Sequence, residues 1–272
     1  MQKPKMKRIR KWLGIAAIIY VVIGAALYFF QEKILFHPQK LALDHKYNFS
    51  NPYKEINLRV TDEKSIGIVQ FTGPDSLCKG VVLYFHGNKK NIERYSQYAT
   101  NFTSNNYEVW MMDYPGFGKS TGERTEQILY NDALEFYKMA MARFSKDSII
   151  IYGKSMGTGI AAQLASRRDC KRLILETPYY DFPSVIQHYF PMYPMNVMLH
   201  YKIPTHEYLK QVTAPVTIFH GTDDGVITYS NAERLIPFLP KNSEFITIKK
   251  GSHNDLYEFG ECKRKLDSVL AR

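Results

Sequence analysis

Residues 149–165, IIIYGKSMGTGIAAQLA, place a serine between two glycines in the pattern G-x-S-x-G. A β-branched apolar run precedes Gly153, and a run typical of a helix follows Gly157. Two kinds of chemistry use such a stretch. The letters GKS end a phosphate-binding loop, whereas a strand, a tight glycine turn and a helix expose a nucleophilic serine. The residues around Ser155 decide between them.

A phosphate-binding loop needs a glycine five residues before the glycine of GKS, because its backbone amides must surround the phosphates. That position is Ser148 in this stretch, and it is Asp113 before the other GKS, at residues 118–120. Both stretches fail this requirement, so the sequence favours a nucleophile turn at Ser155. In such a turn, the dipole and first-turn amides of the following helix stabilise negative charge beside the serine.

A serine hydroxyl is a weak nucleophile at neutral pH and needs a base, which in turn needs an acid to orient it. His253, in GSHND, lies between the last predicted strand and the last predicted helix. The stretch HGTDDGVIT offers Asp223 and Asp224 directly after a strand. The chain order serine, acid, histidine is typical of one particular fold.

Short β-branched strands alternate with amphipathic helices along the chain, which predicts an α/β protein with a mostly parallel sheet covered on both faces. The first two strands fit an antiparallel hairpin around residues 62–64. Ligands bind beyond the carboxyl ends of the strands in such sheets, and each candidate above follows a strand. The predicted strands are residues 55–60, 66–71, 81–85, 107–112, 148–152, 172–176, 216–220 and 244–248, and the predicted helices are residues 92–105, 126–142, 156–167, 231–238 and 256–270.

From about Tyr53 to the C-terminus the chain resembles an alpha/beta-hydrolase. The resemblance rests on five motifs in the same order, LYFHGNKKN, DYPGFGKS, YGKSMG, HGTDDGVI and GSHND. In particular, the chain is similar to small, N-terminally anchored serine hydrolases that include membrane alpha/beta-hydrolase-domain lipid hydrolases and depalmitoylases. The segment YFFQEKILFHP also resembles the part that follows the anchor in that branch.

The resemblance implies a triad of Ser155, Asp224 and His253, since the acid is the fifth residue of the family's H-G-x-x-D element. Asp223 is then a turn residue. We therefore expect a serine hydrolase that cleaves carboxylic esters or thioesters through an acyl-enzyme, with no metal or organic cofactor. The alternatives are a serine peptidase or amidase, because fold alone does not set the substrate, and a membrane-tethered binding protein on this fold.

Other residues near the triad have expected roles as well. The backbone amide of Met156, the residue after the nucleophile, forms one half of an oxyanion hole in this turn. By resemblance, the amide of Asn88 in HGN forms the other half. Asp113 matches a family position that braces a loop. Lys154, beside the nucleophile, is expected to be exposed to solvent.

Six basic residues lie within residues 1–11, and residues 12–30 form an uncharged, mostly apolar stretch. As a helix, that stretch can cross a hydrocarbon core of about 30 Å. We expect a basic cytoplasmic tail at 1–11, a single transmembrane anchor at 12–30, a connector at 31–52, and an extracytoplasmic hydrolase domain at 53–272, periplasmic in a bacterium. The alternative is a signal peptide cleaved near residues 24–26.

The formal net charge of +10 raises the question of nucleic-acid binding, but six of the positive charges lie in the tail. The remaining surplus of four positive charges is ordinary for a soluble domain. The distribution therefore predicts a membrane-flanking basic tail and no nucleic-acid partner. Cys78, Cys170 and Cys262 are widely spaced, without the spacing of a zinc site.

About forty residues separate the predicted strand that ends at Glu176 from the one that starts at Val216. In the resembled fold, an insertion here covers the active site, so we expect a cap at about 179–212. Its aromatic residues and methionines suit an apolar acyl chain of variable shape, although the same residues also serve to pack a cap onto a core. Together with a membrane anchor, this cap points to lipid-like or acylated substrates.

Overall fold

The computed structural model describes residues 3–73 and 78–272. Two short strands pair with each other, and the other strands of the described residues form one large sheet. The strands are β1 (His37–Pro38), β2 (Tyr53–Arg59), β3 (Ser65–Phe71), β4 (Gly80–Phe85), β5 (Lys89–Lys90), β6 (Tyr107–Met112), β7 (Ile149–Lys154), β8 (Arg172–Glu176), β9 (Val216–Gly221) and β10 (Glu244–Ile248).

The large sheet has the strand order β10-β9-β8-β7-β4-β6-β3-β2. β2, β3 and β6 pair antiparallel, and the other neighbours pair parallel. The chain passes from β4 to β6 on one side and then crosses to β7 on the other side of β4. This switch of direction opens a crevice beyond the carboxyl ends of β4 and β7, where ligands bind in such sheets. The predicted α/β fold and the predicted hairpin are confirmed.

Helices cover both faces of the sheet, because successive residues of each buried strand point to opposite sides. Leu83 of β4 packs in one apolar cluster with Phe136 and Ile160. Its neighbour Tyr84 packs in the second cluster with Phe102 and Leu266. The α-helices of the described residues are α1 (Lys3–Phe29), α2 (Gln31–Leu35), α3 (Ile92–Tyr95), α4 (Thr100–Thr103), α5 (Glu126–Met141), α6 (Met156–Ala165), α7 (Phe182–Tyr189), α8 (Met195–Met198), α9 (Thr205–Leu209), α10 (Tyr229–Glu233) and α11 (Gly260–Ala271).

One predicted helix, residues 92–105, is interrupted in the structure. It consists of α3, a 3₁₀ turn at Ser96–Tyr98 and α4. The hydroxyl of Ser96 donates to the carbonyl of Glu93 at 2.8 Å, and such local side-chain bonds compete with the helical ladder. The last predicted helix likewise starts with a separate 3₁₀ turn, Leu256–Glu258, before α11.

The connector after α1 holds more structure than its sequence pattern indicates. It forms α2 and then β1, which pairs in parallel with β5 in the register His37↔Lys89. Leu35 and Phe36 are buried in the main core cluster. The connector is thus packed against the hydrolase domain next to the end of β4.

Helix α1 contains one segment, Met6–Phe29, that is long and apolar enough to cross a membrane, and it is the only such segment in the described part of the chain. Only 6% of its most apolar window is buried against the rest of the protein. Length and composition of this kind also fit a signal sequence. Tyr193, in the segment between β8 and β9, packs on α1, with its ring stacked on that of Tyr20 at a centroid distance of 4.6 Å.

Candidate active site

Three loops at the carboxyl edge of the sheet bring Ser155, Asp224 and His253 together. Ser155 follows β7, Asp224 follows β9 and His253 follows β10. The Oγ atom of Ser155 lies 2.9 Å from Nε2 of His253. Nδ1 of the same ring lies 2.8 Å from Oδ2 of Asp224. The hydroxyl, the imidazole and the carboxylate therefore form one continuous hydrogen-bonded relay.

The protonation of His253 follows from its partners. An ionised carboxylate only accepts hydrogen bonds, so Nδ1 carries the proton and donates it to Asp224. Nε2 is then free to accept the hydroxyl proton of Ser155. This is the tautomer that a histidine needs to act as general base toward a serine.

A strained turn presents Ser155. Its backbone has φ +51° and ψ −121°, and its amide donates to the carbonyl of Glu176 at 2.9 Å. A Cβ atom at Gly157 would lie 2.1 Å from the carbonyl oxygen of Phe85, and one at Gly153 would lie 2.5 Å from the carbonyl oxygen of Gly157. Both glycines are required because only a residue without a side chain lets β4, β7 and α6 approach so closely.

Gly157→Ala is expected to lower the free energy of unfolding by about 1–3 kcal/mol, the usual cost of overpacking. It should also lower kcat, because the shift needed to clear the Phe85 carbonyl moves the start of α6. Urea unfolding and ester turnover of the full-length protein in detergent measure both effects. Gly225→Ala is the control, since a Cβ there meets no atom within 4 Å. Equal stability of the two variants would contradict the packing argument.

Asp224 is held as a carboxylate by its surroundings. Its burial acts to raise the pKa, but hydrogen bonds from His253 and from the amides of Ile227 and Val226 outweigh burial, so the pKa lies below its ordinary value. The two amides donate to Oδ1 at 2.8 and 2.9 Å, and Oδ2 is left for the imidazole. The neighbouring Asp223 is exposed and accepts a bond from the Thr222 hydroxyl at 2.8 Å.

Two buried histidines near the site have other partners. Nε2 of His220 lies 2.9 Å from the carbonyl oxygen of Ile227 and 3.4 Å from Oδ2 of Asp224, and burial lowers the pKa of this ring. Nε2 of His86 lies 3.2 Å from Oδ1 of Asp113. Oδ1 of Asp113 also accepts the amide proton of Ile92 at 3.0 Å. Asp113 thus ties α3 to the loop after β6, the kind of bracing contact that the resemblance implies.

The connector fixes the residue expected on the oxyanion side. The side-chain amide of Asn88 donates to the carbonyl of Leu35 at 2.7 Å, and the amide of His37 donates to the Asn88 carbonyl at 2.9 Å. Met156 opens α6 directly after Ser155, so its amide is one of the first-turn N–H groups of that helix. Asn88 and Met156 both line the cavity that reaches Ser155.

That cavity has a volume of about 380 Å³ and is mostly apolar. The segment between β8 and β9, where a cap is expected, contributes aromatic and aliphatic side chains from α7, and the connector contributes two residues from α2. The methionines of that segment do not line the cavity, in contrast to the expectation that they suit an acyl chain: Met195 is buried in the core and Met192 is exposed. The lining residues are Ile34, Leu35, Asn88, Lys89, Ser155, Met156, Tyr179, Phe182, Val185, Ile186, Tyr189, Phe190, Val226 and Ile227.

Known proteins resemble this chain in sequence. A family model described as serine aminopeptidase, S33, matches residues 77–204, which include the nucleophile turn. Alpha/beta hydrolase domain-containing protein 17C of Xenopus tropicalis is 29% identical over 199 residues, or 70% of this chain and 61% of that protein. Its Mus musculus counterpart is 28% identical over 199 residues, or 70% of this chain and 59% of that protein. The chain has the alpha/beta-hydrolase fold and is similar in sequence to proteins of that superfamily.

The chain spans about three-fifths of the length of those relatives. Solved structures share its fold. A Pyrococcus furiosus esterase superposes with a TM-score of 0.68 at 17% identity, over 87% of this chain and 98% of that one. A soluble variant of monoglyceride lipase from Saccharomyces cerevisiae gives 0.64 at 17% identity, over 83% and 97%. The predicted alpha/beta-hydrolase fold is confirmed, and the family model and the relatives support the prediction of an alpha/beta-hydrolase enzyme.

The expectation that Lys154 is exposed is wrong. Lys154 is 2% exposed, and its ammonium group forms an ion pair with the buried carboxylate of Glu176. Nζ also lies 3.3 Å from the carbonyl oxygen of His253. The hydroxyl of Tyr152 bonds the other oxygen of Glu176 and lies 2.9 Å from the hydroxyl of Tyr257. Sequence reasoning missed this network because its members lie far apart along the chain.

In the described residues, no group of three or more histidine, cysteine, aspartate or glutamate side chains is placed to hold a metal ion.

Proposed function

We propose that this alpha/beta-hydrolase is a serine hydrolase that cleaves carboxylic ester or thioester bonds through an acyl-enzyme. The relay from Ser155 Oγ through His253 to Asp224 carries this proposal. Ser155 attacks the acyl carbonyl while Nε2 of His253 accepts its proton and passes it to the leaving oxygen or sulfur. Water, activated by the same ring, then releases the acid and restores the serine. Asp224 stabilises the imidazolium that forms at each step.

The oxyanion of each tetrahedral intermediate is assigned to the backbone amides of Asn88 and Met156. One such donor is worth roughly 3–4 kcal/mol of activation free energy in enzymes of this type. The contacts of Asn88 with Leu35 and His37 support the assignment, because they hold the Asn88 peptide in place before substrate binds. Preorganised donors do not have to reorient as charge develops.

The apolar cavity supports a lipid-like or otherwise acylated substrate, with the acyl chain beneath α7 of the cap. A smaller cleft of about 80 Å³, which also reaches Ser155, would take the leaving group, and its lining includes Lys89 and Arg94. The described residues that line the two spaces include no aspartate or glutamate. This basic surrounding disfavours a peptide with a cationic free N-terminus, although the family model's description as a serine aminopeptidase makes amide hydrolysis the second candidate.

We also propose that residues 12–30 are a retained single-pass anchor, with the tail 1–11 in the cytoplasm and the domain 53–272, including the cap at 179–212, outside it. The charge asymmetry around α1 supports this orientation. Contacts of Tyr20 with the cap support retention of the helix over its cleavage, because removal of α1 would expose the face on which Tyr193 packs.

A fluorophosphonate probe is expected to label the full-length protein covalently and to leave Ser155→Ala unlabelled, because the probe reacts with an activated serine. In the same preparation, esters and thioesters of medium or long acyl chains should be turned over faster than acetyl esters, since the cavity is apolar. Turnover is measured as release of the free acid. Anilides of the same acids test whether amides are cleaved as well.

A preference for acetyl esters would contradict the lipid-like substrate but not the mechanism. Faster cleavage of the anilides would favour the amidase. Normal labelling with no turnover of any ester, thioester or amide would favour a membrane-tethered binding protein on this fold. Labelling of Ser155→Ala at the parent level would contradict the assigned nucleophile.

A further inference from the structure

The cap contacts helix α1 well before that helix ends. The rings of Tyr20 and Tyr193 stack with an interplanar angle of 6°, and each hydroxyl donates to a backbone carbonyl across the contact. Tyr20 bonds Met192 at 2.9 Å, and Tyr193 bonds Tyr20 at 3.0 Å. A Cβ atom at Gly24 would lie 3.1 Å from the Tyr193 ring, so the glycine permits this close packing.

The position of Tyr20 on α1 sets the depth of this contact. Tyr20 precedes the last residue of the helix, Phe29, by nine residues, which corresponds to about 14 Å along the axis. A tilt of 40°, the upper end for membrane helices, still leaves about 10 Å measured along the membrane normal. If α1 spans a bilayer with Phe29 near the interface, the cap residues at Tyr20 lie below the headgroups. This step depends on the anchor proposed above.

Most backbone polar groups of the cap loop are paired within the protein. The backbone carbonyls of all five residues 190–194 accept hydrogen bonds, from Tyr20, from the side chain of Gln187 and from amides within the cap. Pro191 and Pro194 have no N–H group to satisfy. Polar backbone groups without partners are costly in lipid, and of the N–H groups in this loop those of Phe190 and Tyr193 donate within the cap.

Two apolar side chains on this part of the cap are largely exposed, and the polar Asn196 between them is exposed as well. Met192 and Val197 are each 75% exposed, on the same stretch that carries Tyr193. Tyr189 and Phe190, at the start of this stretch, line the acyl cavity, as does Ile34 beyond the end of α1. These exposed apolar side chains therefore lie on the stretch that contacts the candidate membrane helix and that begins with residues lining the cavity.

We propose that residues 190–198, the cap edge, are a lipid-contacting surface that sits in the same leaflet as the C-terminal half of α1. The partner is the bilayer itself. Because the cap edge borders the cavity, the acyl chain of a substrate enters from the hydrocarbon region without crossing water. The route of entry rests on the proposed function, whereas the immersion of the cap edge does not.

Site-specific fluorescence tests the immersion without any enzymatic assay. Full-length protein with Met192→Cys, labelled with the environment-sensitive dye NBD and reconstituted into phosphatidylcholine vesicles, is expected to emit at shorter wavelength and to be quenched by phospholipids spin-labelled on the acyl chain. Val197→Cys should behave alike. Met141→Cys is the matched control, because Met141 is an exposed apolar residue on α5. It should keep a water-like emission and escape quenching. The labelled parent gives the background from native cysteines.

Trp12 separates this inference from the anchor proposal. Trp110 is buried in the domain, so quenching of tryptophan emission by brominated phospholipids reports Trp12 on α1. Quenched Trp12 with a water-like emission at positions 192 and 197 would overturn the cap-edge inference and leave the anchor. Unquenched Trp12 would overturn both. A blue shift at position 192 without lipid quenching would indicate a protein partner, such as a second copy, and would also overturn the inference.

The route of entry has a separate functional test. Met192→Lys and Val197→Lys are expected to lower hydrolysis of a long-chain ester embedded in vesicles and to leave hydrolysis of a water-soluble short ester unchanged. A lysine is disfavoured in the hydrocarbon region but not in water. Met141→Lys should change neither rate. An equal effect of Met192→Lys on both substrates would contradict entry from the bilayer. Loss of hydrolysis in the parent would instead contradict the proposed function.

Discussion

Asp224→Asn is expected, under the proposed mechanism, to lower kcat/KM by about ten-thousandfold while the protein stays folded, as loss of the triad acid does in known serine proteases. Oδ2 of Asp224 accepts the Nδ1 proton of His253 at 2.8 Å, and this bond sets the tautomer that leaves Nε2 free toward Ser155. An amide at this position can donate instead of accept, which reverses the tautomer. Initial rates with a soluble ester measure the loss.

The matched control is the neighbouring Asp223→Asn. Asp223 is exposed and bonded to the Thr222 hydroxyl, so its variant is expected to keep kcat/KM within about twofold, as surface changes away from the reacting groups do. The pair of variants distinguishes the two aspartates that the sequence left open. A large loss in Asp223→Asn with near-normal activity in Asp224→Asn would reverse the assignment of the acid.

The parts that could be predicted from the sequence are those encoded locally. Each parallel strand is a short apolar run, and the turn at Gly153 and Gly157 needs residues without side chains. Because the candidates follow strands of one parallel sheet, their loops had to meet at one edge. The convergence of Ser155 and His253 was therefore foreseeable from pattern alone, whereas the choice of Asp224 came from family resemblance.

Features that depend on tertiary contacts could not be predicted in this way. α2 is five residues long and β1 only two, too short for any periodicity, yet both contact Asn88. Lys154 has the composition of a surface residue, and only the fold shows that Glu176 lies beside it. The structured connector and the buried Lys154 both lie around the candidate triad. In such segments, contacts between residues far apart in the chain decide whether a side chain is buried, and the residue type alone does not.

Lys154→Met is expected to lower the free energy of unfolding by about 3–5 kcal/mol, because it leaves the buried carboxylate of Glu176 without its counter-charge. Both side chains of this pair are at most 3% exposed, so water cannot replace the lost partner. The Tyr152 hydroxyl would remain as the neutral donor to that carboxylate. Urea unfolding of the full-length protein in detergent, with linear extrapolation to water, measures the change.

The double variant Lys154→Met/Glu176→Gln tests the reason for the loss. Removing both charges takes away the unpaired carboxylate while an amide oxygen still accepts from Tyr152, so much of the lost stability should return. Lys138→Met is the surface control: its pair with Glu135 is exposed on α5 and should contribute less than about 1 kcal/mol. A double variant no more stable than Lys154→Met would mean that the lysine acts through packing rather than charge. In that case the contact of Lys154 with the His253 carbonyl would explain the loss. Both variants lack this contact, so the loop that carries His253 would move in both and kcat would fall equally.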